Sequence, residues 1–356
     1  TLLKLVLLSY VSKVLITGTT WRVGVQSIGG IGKTVLAAAV VRDEEIRQAF
    51  PDGIFWVHIG QSPRINLKQA QLASALGDTT GIYTEEQEGR ARLGRLLKDR
   101  GCLLVLDDVW ELEHLIPFDA LGQRCRMLVT TRNADLVQKT GGAEHRMYVM
   151  NDEQALRLLS LWTGVGMEKL PAPASRLARE CGNVPLALAM IGAIIRENPT
   201  RWNGVLHRLR STDLEKLGKK FPDYPYPNLM RAIHVGVESL DRHVQQRYLS
   251  LAIFPEDRPV PEHIIQMLWK ADGLDDEEIQ DAFDTLMARS LIAVDEDWQV
   301  RLHDVQLEYI CRQAGNVRAL HHMLIEAFRE TLLAHEQTTE PSNDTMHHDD
   351  HAETLP

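Results

Sequence analysis

Up to about residue 150, short apolar runs alternate with helically spaced segments; beyond it the spacing is helical almost throughout. Trp21 to Gln26 alternates apolar and polar positions, Gly53 to Ile59 and Met127 to Thr130 are mostly apolar, and Cys102 to Leu106 is unbroken. Between these runs, Val35 to Val41, Leu67 to Leu76 and Glu85 to Asp99 repeat with the period of a helix. Strand and helix in alternation predict a parallel sheet, because parallel neighbours need a crossover long enough to hold a helix. The period changes at Asn151, where Asn151 and Asp152 supply an N-cap for a helix through 155–162, with further helices over 174–181, 186–196 and 201–210. Asp213 to Asn228, with Lys219, Lys220 and three prolines, reads as a connector. Helices follow near 229–240, 242–254, 261–270 and 276–289, then two short apolar runs, 291–294 and 298–302. Three helices followed by a small hairpin is the order of a winged-helix domain. At the other end, Leu2 to Leu15 predicts a helix, since its apolar run is broken by Lys4 and Lys13 and leads into the first strand rather than to a cleavage site.

At 356 residues the chain is too long for one ordinary core and fits two or three domains. Its hydrophobic fraction of 44% is that of a globular protein, and no stretch supplies the roughly 20 apolar residues of a membrane span. Cys102, Cys125, Cys181 and Cys311 are widely spaced and form no C-x-x-C pair, so reduced, mostly buried thiols of a cytoplasmic protein are expected. Basic side chains number 39 and acidic ones 49, a net charge of −10 that offers no basic field to nucleic acid and favours nucleotide or protein partners. The chain begins at Thr1 without a methionine, as a fragment or processed product would. Beyond His335 it is polar and aperiodic, and His347-His-Asp-Asp-His351 lies there with no expected fold to fix a metal geometry.

The chemistry begins at Ser27-Ile-Gly-Gly-Ile-Gly-Lys-Thr34, between the first strand and the helix-prone run that starts at Val35. A glycine-rich turn in that setting is a phosphate-binding loop: Gly29, Gly30, Ile31 and Gly32 present backbone amides, Lys33 supplies a charge to the β and γ phosphates, and Val35 continues the helix. The Thr34 hydroxyl is suited to a magnesium ion. Ser27 stands where the G-x-x-x-x-G-K-[ST] pattern has its first glycine, so an ordinary residue must make the opening turn. Cys102 to Asp108 then carries two carboxylates to the end of a buried strand, where ligands of open α/β sheets bind. Asp107 is the expected magnesium partner, and Asp108 the group to orient an attacking water. In Val129-Thr-Thr-Arg132 another strand ends in hydroxyls and an arginine placed to detect a γ-phosphate.

The ordered series SIGGIGKT, CLLVLDDVW, LVTTRN, CGNVPLA (Cys181 to Ala187) and LHD (Leu302 to Asp304) resembles the NB-ARC module of STAND-class signalling NTPases, found in apoptotic and plant disease-resistance proteins. The match runs from about Val23 to Phe328. The resemblance implies an α/β P-loop NTPase domain with a parallel sheet (1–150), an all-α helical domain (151–228), a winged-helix domain (229–312), a C-terminal helix (313–335) and a disordered tail or linker (336–356). It also implies that Pro185 packs on adenine and that His303 reaches the β-phosphate of ADP from the winged helix. Asn183 stands where plant members often have glycine, a change asparagine tolerates because it accepts left-handed dihedrals.

These residues imply a switch. ADP, touched by all three domains, would hold a closed form; exchange for ATP would favour Arg132, release His303 and allow self-association into a homo-oligomer, with slow hydrolysis as the reset. No repeat of 20 to 50 residues occurs, so sensor repeats and effector domains are expected outside this chain. One alternative is a transcription factor regulated by nucleotide, its winged helix reading DNA; the acidic start of the helix at Asp276-Glu-Glu278 argues against it. Another is a housekeeping ATPase with fast turnover, which would not hold ADP tightly.

Overall fold

The computed structural model describes residues 2–339 apart from 19, 80, 82, 83, 213–226, 256–258 and 296. Nearly all of the expected connector, and the tail with its histidines, lie outside the described residues.

Five strands form the main sheet: β1 (Arg22–Gln26), β2 (Ile54–Gly60), β3 (Leu103–Val109), β4 (Arg126–Thr131) and β5 (Ala143–Arg146), in the order β2-β3-β4-β1-β5. Every pairing is parallel. All seven residues of β3 are buried, as a strand covered on both faces requires. Its alternate positions divide between two cores: Leu103 and Val105 join Val11, Leu15, Leu36 and Val40 on one face, while Leu104 and Leu106 join Leu72, Leu93 and Leu97 on the other. The N-terminal helix, Leu2–Thr17, thus packs on the sheet through Val11 and Leu15. Because β4 separates β1 from β3, the carboxyl ends of these three strands open side by side.

From Asp152 onward the described residues are nearly all helical, and one hydrophobic core joins residues from Ala155 to Ile310. The helices Asp152–Thr163, Pro173–Glu180, Pro185–Glu197, Trp202–Ser211 and Pro227–Glu238 form its first part. Arg242–Ser250, Glu262–Ala271 and Asp276–Ala288 follow, and β7 (Ala293–Val294) and β8 (Gln299–Arg301) pair antiparallel as the expected hairpin. A further short strand, β6 (Val260–Pro261), pairs with the other edge of β8, giving the order β6-β8-β7. Two residues long and ending in proline, it carries no periodic signal. Directly after β8, His303 caps the helix Asp304–Gln313, and the helix Val317–Thr339 runs past its expected end at His335. Cys102, Cys125 and Cys181 are buried and Cys311 is exposed, all outside any disulfide among the described residues. Among the described residues no helix is long and apolar enough to cross a membrane.

Candidate functional site

The phosphate-binding loop leaves β1 and merges into the helix Lys33–Arg42. Gly30 and Gly32 have φ of 74° and 98°, a region open to glycine and strained for most other residues. Gly32 is the N-cap and supplies no side-chain cap, so the amides of the first turn keep their hydrogens and the positive end of the helix faces the loop. The Ser27 amide donates to Thr131 O at 3.2 Å, and its hydroxyl donates to Met147 O at 2.7 Å. Its backbone stays out of the left-handed region, so the first position needs no glycine here. Gly29, Gly30 and Ile31 are buried, whereas Thr34 and Val35 are exposed on the first turn.

Lys33 is buried, and its Nζ donates to Ser27 O at 3.1 Å and Ile28 O at 2.8 Å. Burial, and then the nearby Arg132 cation, lower its pKa to about 8 against the pull of Asp108 and Asp107. Thr34 Oγ1 lies 3.0 and 3.2 Å from the two oxygens of Asp107. Burial would raise the Asp107 pKa, but hydrogen bonds from His58, Thr130 and Thr34 outweigh it and hold the carboxyl below its ordinary value. Thr130 does two jobs with one hydroxyl, donating to Asp107 Oδ1 at 2.6 Å and accepting from the Asp108 amide at 2.8 Å. The Thr34 hydroxyl and the Asp107 carboxylate are hard oxygen donors that fit magnesium, which draws its remaining ligands from phosphate and water.

The β3–β4 register shifts between Leu106 and Val109, and that irregularity aims the adjacent carboxylates differently. Asp108 has a φ of 56°, and its Oδ2 accepts from Trp110 Nε1 at 2.9 Å. Its Oδ1 lies 3.9 Å from Arg132 Nε. The Arg132 guanidinium sits over the Trp110 ring, 4.5 Å from its centroid, and Nη2 pairs with Asp304 Oδ2. The arginine expected at a γ-phosphate is therefore joined to a carboxylate from the far end of the chain.

His303 is beside that pair. Its Nδ1 faces the Asp304 carboxylate and the Val305 amide, which leaves Nε2 available to a phosphate oxygen. Although 34% of the side-chain surface is exposed, protein packed around the ring and the Arg132 and Lys33 cations push its pKa down to about 3. Gln306 completes the cap: its Oε1 accepts from the His303 amide at 3.1 Å, and its Nε2 donates to Ser290 O at 2.7 Å.

Pro185 is half-buried at the start of its helix, and the next residue touches the loop, with the Leu186 amide donating to Gly30 O at 3.2 Å. Asn183 has a φ of 53°, in keeping with the expectation that asparagine tolerates a left-handed turn there. Lys33, Thr34, Asp107, Asp108, Arg132 and His303 thus share one polar cluster, and Pro185 stands at its edge through Leu186. Asp304 and Thr130 lie within the sequence motifs, which assign them no role of their own. Trp110 and His58 carry no such signal either; a single histidine near the end of a strand has no pattern that could single it out.

A strand, glycine-rich loop and helix, with Lys33 and Thr34 facing Asp107 across the sheet edge, define a P-loop NTPase. Residues 8–169 match the NB-ARC domain model, so this chain carries an NB-ARC domain. It is similar to apoptotic protease-activating factor 1 of Danio rerio, with 32% identity over 325 residues, 86% of this chain and 25% of that protein. The Homo sapiens protein of the same name is 29% identical, with 86% and 25% covered. Disease resistance protein RPP8 of Arabidopsis thaliana is 28% identical over 82% of this chain and 35% of its own length. The chain therefore spans about a quarter of the first of these relatives. The crystal structure of a STAND protein with a tetratricopeptide repeat sensor from Pyrococcus horikoshii shares the fold, with a TM-score of 0.60 over 91% of this chain and 45% of that one at 15% identity.

Proposed function

We propose that this chain is the nucleotide-operated switch of a larger signalling protein, closed with ADP and opened by exchange for ATP. The observation that carries the reading is the Arg132–Asp304 ion pair, which joins the end of β4 to the helix after β8 inside the phosphate-binding cluster. We read residues 1–150 as the nucleotide-binding domain, 151–228 as a helical domain and 229–312, with its three helices and the β6-β8-β7 sheet, as a winged helix.

In the closed form Lys33 and the loop amides hold the phosphates, Pro185 covers the base and His303 Nε2 donates to the β-phosphate. Thr34 and Asp107 would hold magnesium, which neutralises phosphate charge when bound. A γ-phosphate competes with Asp304 for the single Arg132 cation. Once Arg132 turns to the phosphate, Asp304 is left without its countercharge and the winged helix separates. Moving a population from closed to open requires a differential affinity of about 5 kcal/mol, within reach of a few charge-assisted hydrogen bonds plus interdomain contact. The open form self-associates, effector and sensor domains lie outside this chain, and slow hydrolysis restores ADP, with Asp108 orienting the attacking water.

The test combines nucleotide identity with assembly. Denaturing the purified protein should release ADP. Asp304→Asn should lose ADP during gel filtration and elute as a larger species with ATP. An Asp304→Asn protein that keeps full ADP occupancy and stays monomeric would sink the latch.

A further inference from the structure

Asp107 is held from three sides, and one of the groups holding it has no part in the switch. Thr34 reaches both oxygens, Thr130 holds Oδ1, and His58 Nδ1 lies 3.3 Å from Oδ2. His58 belongs to β2 and is the register partner of Asp107 across the β2–β3 pair. Register partners project to the same side of a sheet, so the pairing itself delivers the imidazole to the carboxylate. The backbone at that position is anchored too: Lys68 Nζ, from the buried side of the helix Ile65–Ala75, donates to His58 O at 2.6 Å. An ionised carboxylate only accepts hydrogen bonds, so Nδ1 must be the donor.

We propose that His58 is a positioning residue that fixes the plane of the Asp107 carboxylate for a magnesium ion shared with Thr34, through the Nδ1–Oδ2 hydrogen bond. The proposal rests on the nucleotide reading above. A carboxylate tethered at one oxygen still rocks about its Cβ–Cγ bond; tethered at both, it keeps one orientation. Thr130 holds one oxygen and His58 the other, so the face left toward Thr34 stays fixed. Outer partners of this kind tune metal affinity without touching the metal, and their loss typically weakens it about 10- to 100-fold.

His58 also lines a groove of about 500 Å³, together with Trp56, Arg64, Lys68, Gln71, Pro259 and Gln299. With 34% of the side chain exposed, substitution opens no sealed cavity, which makes the position suited to a variant test. His58→Phe keeps a ring and removes the donor. His58→Asn loses the ring but keeps a donor, because asparagine Nδ2 is the same number of bonds from the backbone as histidine Nδ1.

The experiment titrates magnesium against the binding of a fluorescent ADP analogue by the whole chain. In His58→Phe the magnesium concentration for half-maximal effect should rise about tenfold or more, while His58→Asn stays within about threefold of the original. Affinity measured in EDTA should be the same in all three, a result that a general loss of structure would not give. A His58→Phe protein with unchanged magnesium dependence overturns the proposal. Asp107→Ala separates this outcome from failure of the underlying reading: if that variant also responds to magnesium normally, the metal assignment of Asp107 is wrong; if it alone loses the response, only His58 is misassigned.

Discussion

His303 is kept neutral by its surroundings, first by burial and then by the Arg132 and Lys33 cations, with a pKa of about 3 against an ordinary 6.5. A histidine depressed in the folded state binds fewer protons there than in the unfolded chain, so its environment destabilises the fold as pH drops below 6.5 toward 3. The thermal midpoint should therefore fall more steeply between pH 7 and pH 4.5 than it does in His303→Gln; parallel curves from scanning calorimetry would exclude this account. The sequence marked His303 as a functional residue through its LHD segment. What it could not supply was the cationic partners, because Lys33 and Arg132 are distant from His303 in the chain and meet it only in the fold. The same holds for Ser27, which departs from the motif and is anchored to the chain just after β5 through Met147 O.

Among the elements, the phosphate-binding loop joins two energetic demands at Gly30. Its φ of 74° disfavours a side chain, and a Cβ would come within 2.9 Å of Leu229 Cδ2 and 3.2 Å of Leu186 Cβ. Gly77, at a φ of 92° with nothing within 4 Å of its would-be Cβ, presents the backbone demand alone. Gly77→Ala should then cost about 1–2 kcal/mol, and Gly30→Ala more, with loss of ADP retention in addition. Chemical denaturation of the two variants measures the difference, and equal costs would mean that the loop does not bear on the helices. Strand β3 was readable because both of its faces are covered and its first four positions, Leu103 to Leu106, are all apolar. Strand β5 was not: Ala-Glu-His-Arg pairs on one edge only and alternates between half-buried and exposed, so hydrophobicity never marked it.

Among the described residues, one core lies on each face of the sheet and a third joins residues from Ala155 to Ile310. Leu188 is fully buried in that third core, and Leu188→Ala should destabilise it by about 2–5 kcal/mol. Because the site draws groups from both parts of the molecule, ADP at a hundred times its Kd should stabilise both by about 2.7 kcal/mol. In Asp304→Asn, calorimetry should find that ADP raises the melting of the helical part less than that of the α/β part. Equal stabilisation of both in that variant would argue against coupling through Asp304. The sequence by itself determined the parallel α/β half, the helical second half and the glycine-rich loop between strand and helix, since each is written in local periodicity or in contiguous residues. Tertiary structure alone decided that Arg132 faces Asp304, that His58 reaches Asp107 and that Leu186 closes on Gly30. Those contacts depend on strand register and on the packing of helices against the loop, which join residues that no local pattern relates.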